Sequence, residues 1–325
     1  MASANDIKRA RAKIHKVVKT RQKNLYLSNF ALNEIPNCIE KCTFLWKLYL
    51  DKNHLQRVPK LEIFCDLQIL ALDHNELNAF PTELCKLDRL RFLNVSYNRI
   101  VSLPAQIGNL LSLEALWCNY TGLANIPEEI GNCISLRTFG ARGNKIRQLP
   151  DSFGILHSLR WATFESNQLR RIPDTMGTLE NLKHLNLKSN LLQFIPICLS
   201  YMYGLRYVNL SYNNINIMPC DNELQTLEFI NVINISNNPI CNDVDLDHYV
   251  MNFENIMFED IINLLGARNL NNDERINEEF DWENSVATSE INSAEQTSTI
   301  ISFIYELIAY TLQPIYNLIT RPFRT

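Results

Sequence analysis

The chain has 325 residues, 46% of them apolar, and a formal net charge of −4. That apolar share can fill a large core and excludes wholesale disorder, while the length allows either one elongated domain or two ordinary ones. The nine cysteines are odd in number and none stands in a CxxC pair, which argues against a complete disulfide framework and against a zinc ribbon.

Charge is segregated along the chain. Residues 1–23 carry eight Lys/Arg against Asp6, residues 24–240 carry nineteen of each sign, and residues 241–325 carry fifteen Asp/Glu against four Arg. The opening residues are polar and basic with no apolar stretch. No secretory signal is read there, and a reducing, cytoplasmic setting is expected. Within residues 1–21, Ile7, Ala10, Ile14, Val17 and Val18 put an apolar stripe on a basic helix. Its simplest use is as a cap over an open, apolar end of the fold, with a membrane or partner helix as the alternative.

Nine of the twelve prolines fall at positions 36, 59, 81, 104, 127, 150, 173, 196 and 219. A near-constant step of this size marks a solenoid. One unit reads Leu90-Arg-Phe-Leu93-Asn-Val95-Ser-Tyr-Asn98-Arg-Ile100-Val-Ser-Leu103-Pro104, and another runs from Leu182 through Leu185, Leu187, Asn190, Leu192 and Ile195 to Pro196. These units resemble the LxxLxLxxNxLxxLP consensus of leucine-rich repeats, in the 23-residue form of the intracellular Ras-group scaffold proteins. The resemblance covers residues 22–240 in ten units. It implies an α/β fold: a curved horseshoe with a parallel sheet on its concave side.

The residues themselves explain the consensus. In Leu-x-Leu the alternation puts both leucines on one side of a short strand and the x positions on the other. The Asn sits where the strand turns away, and its amide can pair with backbone groups that would otherwise be buried alone. Eight units keep it, at Asn53, Asn75, Asn98, Asn144, Asn167, Asn190, Asn213 and Asn238; Phe30 and Thr121 replace it in the other two, where irregular turns are expected.

The outward positions are not fixed by packing. They hold Tyr26, Tyr49, Phe92, Tyr97, Trp117, Tyr120, Trp161, Tyr207 and Tyr212, with Arg142, Glu165, His184 and Lys188 among and beside them. Scattered surface aromatics need no explanation, but these share one face and gather in units four to seven. The candidate protein-binding residues are therefore Tyr49, Phe92, Tyr97, Trp117, Tyr120, Arg142, Trp161, Glu165, His184, Lys188 and Tyr207. Trp117 and Trp161 are expected to face outward, so that truncating either spares the fold.

No catalytic, metal or cofactor site is read. Gly140, Gly143 and Lys145 only faintly suggest a phosphate loop, and they fall on outward slots of unit six. Cys241-Asn-Asp243 resembles the CxD motif of bacterial leucine-rich-repeat ubiquitin ligases, which need a catalytic domain much larger than the 85 residues after Ile240. Cys241 is expected as a buried edge residue. Cys42, Cys118 and Cys133 fall in apolar slots, and the six histidines show no metal-ligand spacing.

After the repeats, residues 241–266 are expected as a C-terminal cap, with a helix over 249–265. Residues 267–299 read as an acidic, disordered linker, and 300–325 as an apolar or amphipathic helix. The resulting expectation is a monomeric, non-enzymatic scaffold or adaptor in intracellular signalling. It would bind a protein rather than a nucleic acid on its concave face. Residues 300–319 leave a peripheral or C-terminal membrane contact open. Two competing readings are a substrate receptor of a ubiquitin ligase and a membrane-tethered organiser.

Overall fold

The repeat consensus produces one short strand per unit. In a computed structural model describing residues 4–58, 60–243 and 256–257, the first ten strands are β1 (Asn24–Tyr26), β2 (Lys47–Tyr49), β3 (Ile69–Ala71), β4 (Phe92–Asn94), β5 (Ala115–Trp117), β6 (Thr138–Gly140), β7 (Trp161–Thr163), β8 (His184–Asn186), β9 (Tyr207–Asn209) and β10 (Val232–Asn234). They pair in chain order in one parallel sheet. Their middle residues stay in register: Leu48, Leu70, Leu93, Leu116, Phe139, Ala162, Leu185, Val208 and Ile233 line up across the sheet. All nine are fully buried. Two units are distinguished along the chain, Met1–Ala267 and Arg268–Thr325, and every described residue belongs to the first.

The asparagines tie each repeat to the one before. Asn190 donates through Nδ2 to Leu187 O and Lys188 O in its own turn and to Phe164 O one repeat back, at 3.0, 3.2 and 2.9 Å, while its Oδ1 accepts from Leu169 N–H at 3.0 Å. The residue just before this Asn takes a left-handed backbone: Lys52, His74, Tyr97, Ser166, Ser189, Tyr212 and Asn237 have φ of 52–56°. Such a φ is costly for side chains of this size. The Asn bonds hold it in place.

The two departures are irregular, as expected. Thr121 offers one hydroxyl, which donates to Cys118 O at 3.1 Å and lies 3.0 Å from Asn144 Oδ1, and the next residue, Gly122, takes φ 86°. Phe30 is likewise followed by a left-handed residue, Ala31 at φ 50°. No repeat precedes Phe30, so an amide there would lack the carbonyl one repeat back that the other asparagines reach. It packs instead beneath the helix α1 (Ala4–Thr20), with Arg9 and Lys13 about 5.1 and 5.0 Å from its ring centre. Ala10, Ile14 and Val17 of α1 are buried in the same core as the repeats.

The return segments run as short 3-10 turns, all starting directly after a proline except Leu61–Ile63, which follows Lys60. In Ala105–Asn109, Pro104 is extended and its carbonyl accepts from Ile107 N–H at 3.0 Å. Proline needs no donor partner at this point. Ile107 and Leu110 are fully buried, as the pattern implied.

The far end differs from expectation. A short α2 (Asp221–Gln225) replaces the 3-10 turn, and α3 (Ile240–Asp243) follows β10. The expected helix over 249–265 is contradicted where the structure describes it: Ile256–Met257 form β11, a parallel strand on β10. Without β11 the outer edge of β10 would expose its ladder groups, and strand addition satisfies them directly. Cys241 is half-buried rather than buried, its Sγ 3.4 Å from Ile235 O. The remainder of the expected cap, the linker at 267–299 and the segment at 300–325 lie outside the described residues.

Candidate protein-binding face

The outward residues of the strands and the left-handed turn residues beside them share one open face, and its rings meet in two lines. At the turns, His74 stacks on Tyr97 with centroids 4.2 Å apart, and Tyr97 on Tyr120 at 5.0 Å. On the strands, Trp117 meets Trp161 at 5.2 Å, Trp161 stacks on His184 at 5.5 Å, and His184 on Tyr207 at 4.7 Å. Tyr26 and Tyr49 form a separate stack at 4.8 Å. Phe92 packs on a small cluster of Tyr49, Ile69 and Ala71.

Glycines seat two of these rings. Gly140 is registered beside Trp117, and a Cβ there would collide with the indole at Cε3 and Cζ3. Gly143, at φ 67°, would drive a Cβ into the ring of Tyr120. The indole thus crosses β6 to reach Trp161 on β7. This corrects the expectation for Trp117. It is only 5% exposed, and Tyr49 only 8%, so both are packed elements of the face rather than free contact surface. Tyr97 and Tyr120 remain open, at 37% each.

Two of the four polar candidates, Arg142 and Glu165, are paired with one another. Arg142 lies 3.4 Å from Glu165 and 5.6 Å from the Tyr120 ring centre, and Glu165 Oε2 accepts from Asn186 Nδ2 at 3.0 Å. Lys188 sits 5.2 Å from the ring centre of Tyr212. His184 lies between two aromatic rings, and its Nδ1 has no hydrogen-bond partner among the described residues. Burial pushes its pKa down to about 4, so it is neutral at physiological pH. Burial likewise pushes the Cys118 and Cys133 thiols up to about 12, which suits core hydrophobes and not nucleophiles.

Sequence reasoning passed over two features. Arg137, Arg160, Lys183 and Arg206 occupy the position just ahead of successive strands, and the same period that aligned the leucines aligns them. On the return side, Phe194, Ile197 and Tyr201 are 56–66% exposed around a groove of about 1180 Å³. Repeat alignment carries no signal for that groove, which is shaped by several return segments together.

A profile of the leucine rich repeat matches residues 163–215, and a second matches residues 89–110. Among solved structures, the chain is similar to the complex of TLR13 with ssRNA13, at 24% identity and TM-score 0.59 over 70% of this chain and 34% of that one. It is similar to the plant peptide hormone receptor RGFR1 in complex with RGF2, at 27% identity and TM-score 0.55 over 66% and 36%. A third is the leucine-rich-repeat ectodomain of GASSHO1/SCHENGEN3 from Arabidopsis thaliana in complex with Casparian strip integrity factor 2, at 25% and 0.54 over 63% and 26%. The chain therefore spans about a quarter to a third of the length of these three. No curated protein matches it significantly. Fold, register and profile agree that the repeats carrying β1 to β10 form a leucine-rich-repeat solenoid, an architecture that commonly mediates protein–protein interaction.

Proposed function

We propose that the chain is a non-enzymatic, cytoplasmic scaffold of the Ras-group kind that binds a protein partner on the open face of its sheet. The observation that carries this is the two lines of stacked rings on that face, His74 to Tyr120 and Trp161 to Tyr207, the second seated on Trp117. Rings already stacked on one another lose little freedom on binding, and rigid Trp and Tyr dominate interface hot spots. Two similar structures hold a named peptide hormone or factor, which supports a peptide or protein ligand for this fold.

The test is affinity capture with the intact chain, comparing Tyr120→Ala with Trp161→Ala against Phe194→Ala with Tyr201→Ala. The open-face pair should lose the principal partner, and the return-side pair should keep it. The reverse result would move binding to the groove beside Phe194. Recovery of cullin and adaptor subunits would favour a ligase receptor, and carbonate-resistant sedimentation a membrane-tethered organiser.

A further inference from the structure

Three cations stand together along the leading edge of the open face. Arg160 N–H donates to Arg137 O at 2.8 Å, Lys183 N–H to Arg160 O at 2.8 Å, and Arg206 N–H to Lys183 O at 3.0 Å. With Arg137, they thus occupy one position on adjacent repeats, roughly 4.8 Å apart. Earlier on the same row, Glu114 pairs with both of its neighbours. It accepts from Arg91 Nε at 2.6 Å and lies 3.6 Å from Arg137 Nη1.

Beyond Arg137 that balance ends. Among the described residues, none of Arg160, Lys183 and Arg206 has a carboxylate within ion-pair distance. Arg206 donates its Nη1 to the carbonyls of Tyr203 and Leu205 instead. Burial, with Arg206 and Arg160 beside it, holds the Lys183 amine below the usual lysine range. Like charges this close oppose folding unless something relieves them. Each cation is followed directly by a ring of the strand line: Arg160 by Trp161, Lys183 by His184 and Arg206 by Tyr207.

We propose that this strip binds an acidic segment of a partner protein, its carboxylates along Arg160, Lys183 and Arg206 and its apolar side chains on Trp161 and Tyr207. This rests on the open-face reading above and names the partner's chemistry. The charge pattern favours a short acidic peptide over a nucleic acid. The rest of the face is nearly balanced, with Lys47, Lys52, Arg142 and Lys188 against Asp51, Asp73 and Glu165. Nucleic-acid binders typically engage roughly 6–10 phosphates. Three cations that have no carboxylate partner among the described residues, set beside aromatic rings, suit a few carboxylates interleaved with apolar residues.

Fluorescence anisotropy on the full chain tests this with three probes: a short labelled peptide alternating glutamate with leucine and phenylalanine, its glutamine counterpart, and an oligothymidylate. The acidic peptide should bind about tenfold or more tighter than the glutamine peptide, with the difference shrinking as salt rises. The variant carrying Arg160→Gln, Lys183→Gln and Arg206→Gln should remove that difference. The variant Arg160→Lys with Arg206→Lys should keep most of it, which separates charge from misfolding. Equal binding of the two peptides, undiminished binding by the glutamine variant, or tighter binding of oligothymidylate would each overturn the proposal. Partner capture separates the two readings. If the glutamine variant still captures a partner that Tyr120→Ala with Trp161→Ala loses, the strip is wrong and the open face stands. If both capture it, the open face is wrong as well.

Discussion

The strands of this solenoid have a core side and an open side, built by different rules. On the core side each residue meets its own equivalent one repeat away: Leu93 is registered with Leu116, and Asn190 reaches Phe164 O just as Asn167 reaches Ala141 O. One choice of residue therefore satisfies every contact of its kind. On the open side many contacts also join equivalent positions, as in Trp161, His184 and Tyr207, but the residue changes from repeat to repeat. Other contacts cross between unlike positions. Trp117 passes over Gly140 to meet Trp161, and Arg142 contacts both Glu165 and the Tyr120 ring. Stability is thus shared by the array on one side, while individual shape and charge are set locally on the other.

The largest break in this contrast should come from the core side. Phe139 is fully buried, with Phe153 and Phe164 at centroid distances of 5.2 and 5.6 Å. Phe139→Ala should cost about 3–5 kcal/mol, because neighbouring repeats cannot all close onto the space left. Denaturant unfolding measures it, and a cost below about 1 kcal/mol would mean that the core is plastic there. Asn167→Ala comes next. It removes donations to Ala141 O, Phe164 O and Glu165 O at 2.8, 2.9 and 3.2 Å and leaves Ile146 N–H without its acceptor. A loss of about 1–3 kcal/mol is expected. It should spread to neighbouring repeats, seen as faster amide exchange on both sides.

That division also explains what the sequence could show. Periodicity reports contacts between equivalent positions, so strands, prolines, buried leucines and the Asn turns were all legible, as were the irregular turns at Phe30 and Thr121. The eleven outward candidates do lie on or beside one face for the same reason. Their exposure was not legible. Burial of Trp117 depends on Gly140 one repeat later, and that of Tyr49 on Ile69, Ala71 and Phe92. The glycines had looked like a faint phosphate loop, whereas their use is to make room for rings. The strand at Ile256–Met257 was hidden because its apolar residues fit a helix equally well.

His184 sharpens the comparison on the open side. Its folded pKa is pushed down to about 4, against about 6.5 unfolded. Between those values the unfolded chain binds a proton that the folded chain refuses, so this component of stability rises with pH across that window and is flat above it. From pH 7 to pH 5 it should remove up to about 2 kcal/mol. His184→Phe keeps a ring between Trp161 and Tyr207 and removes the titration. Urea unfolding at both pH values should show the variant gaining on the wild type by that amount at pH 5. A constant difference would place the imidazole in water.

The smallest effect concerns Trp117 and Gly140, and it isolates the rule of the open side. In the wild type, Gly140→Ala pushes a methyl group into the indole, which Trp161 holds from the far side. Overpacking of this kind should cost about 1–2 kcal/mol. Gly140 has no positive φ, so alanine meets no backbone penalty there. It should even favour folding slightly by restricting the unfolded chain. Once Trp117→Ala has cleared the ring, Gly140→Ala should be neutral or mildly stabilising. The two substitutions together should then be better than the sum of their separate costs, with a coupling of about 1 kcal/mol. If Gly140→Ala costs the same with and without the indole, the glycine is needed for another contact, of which Asn119 Oδ1, 3.2 Å from the added methyl, is the nearest candidate.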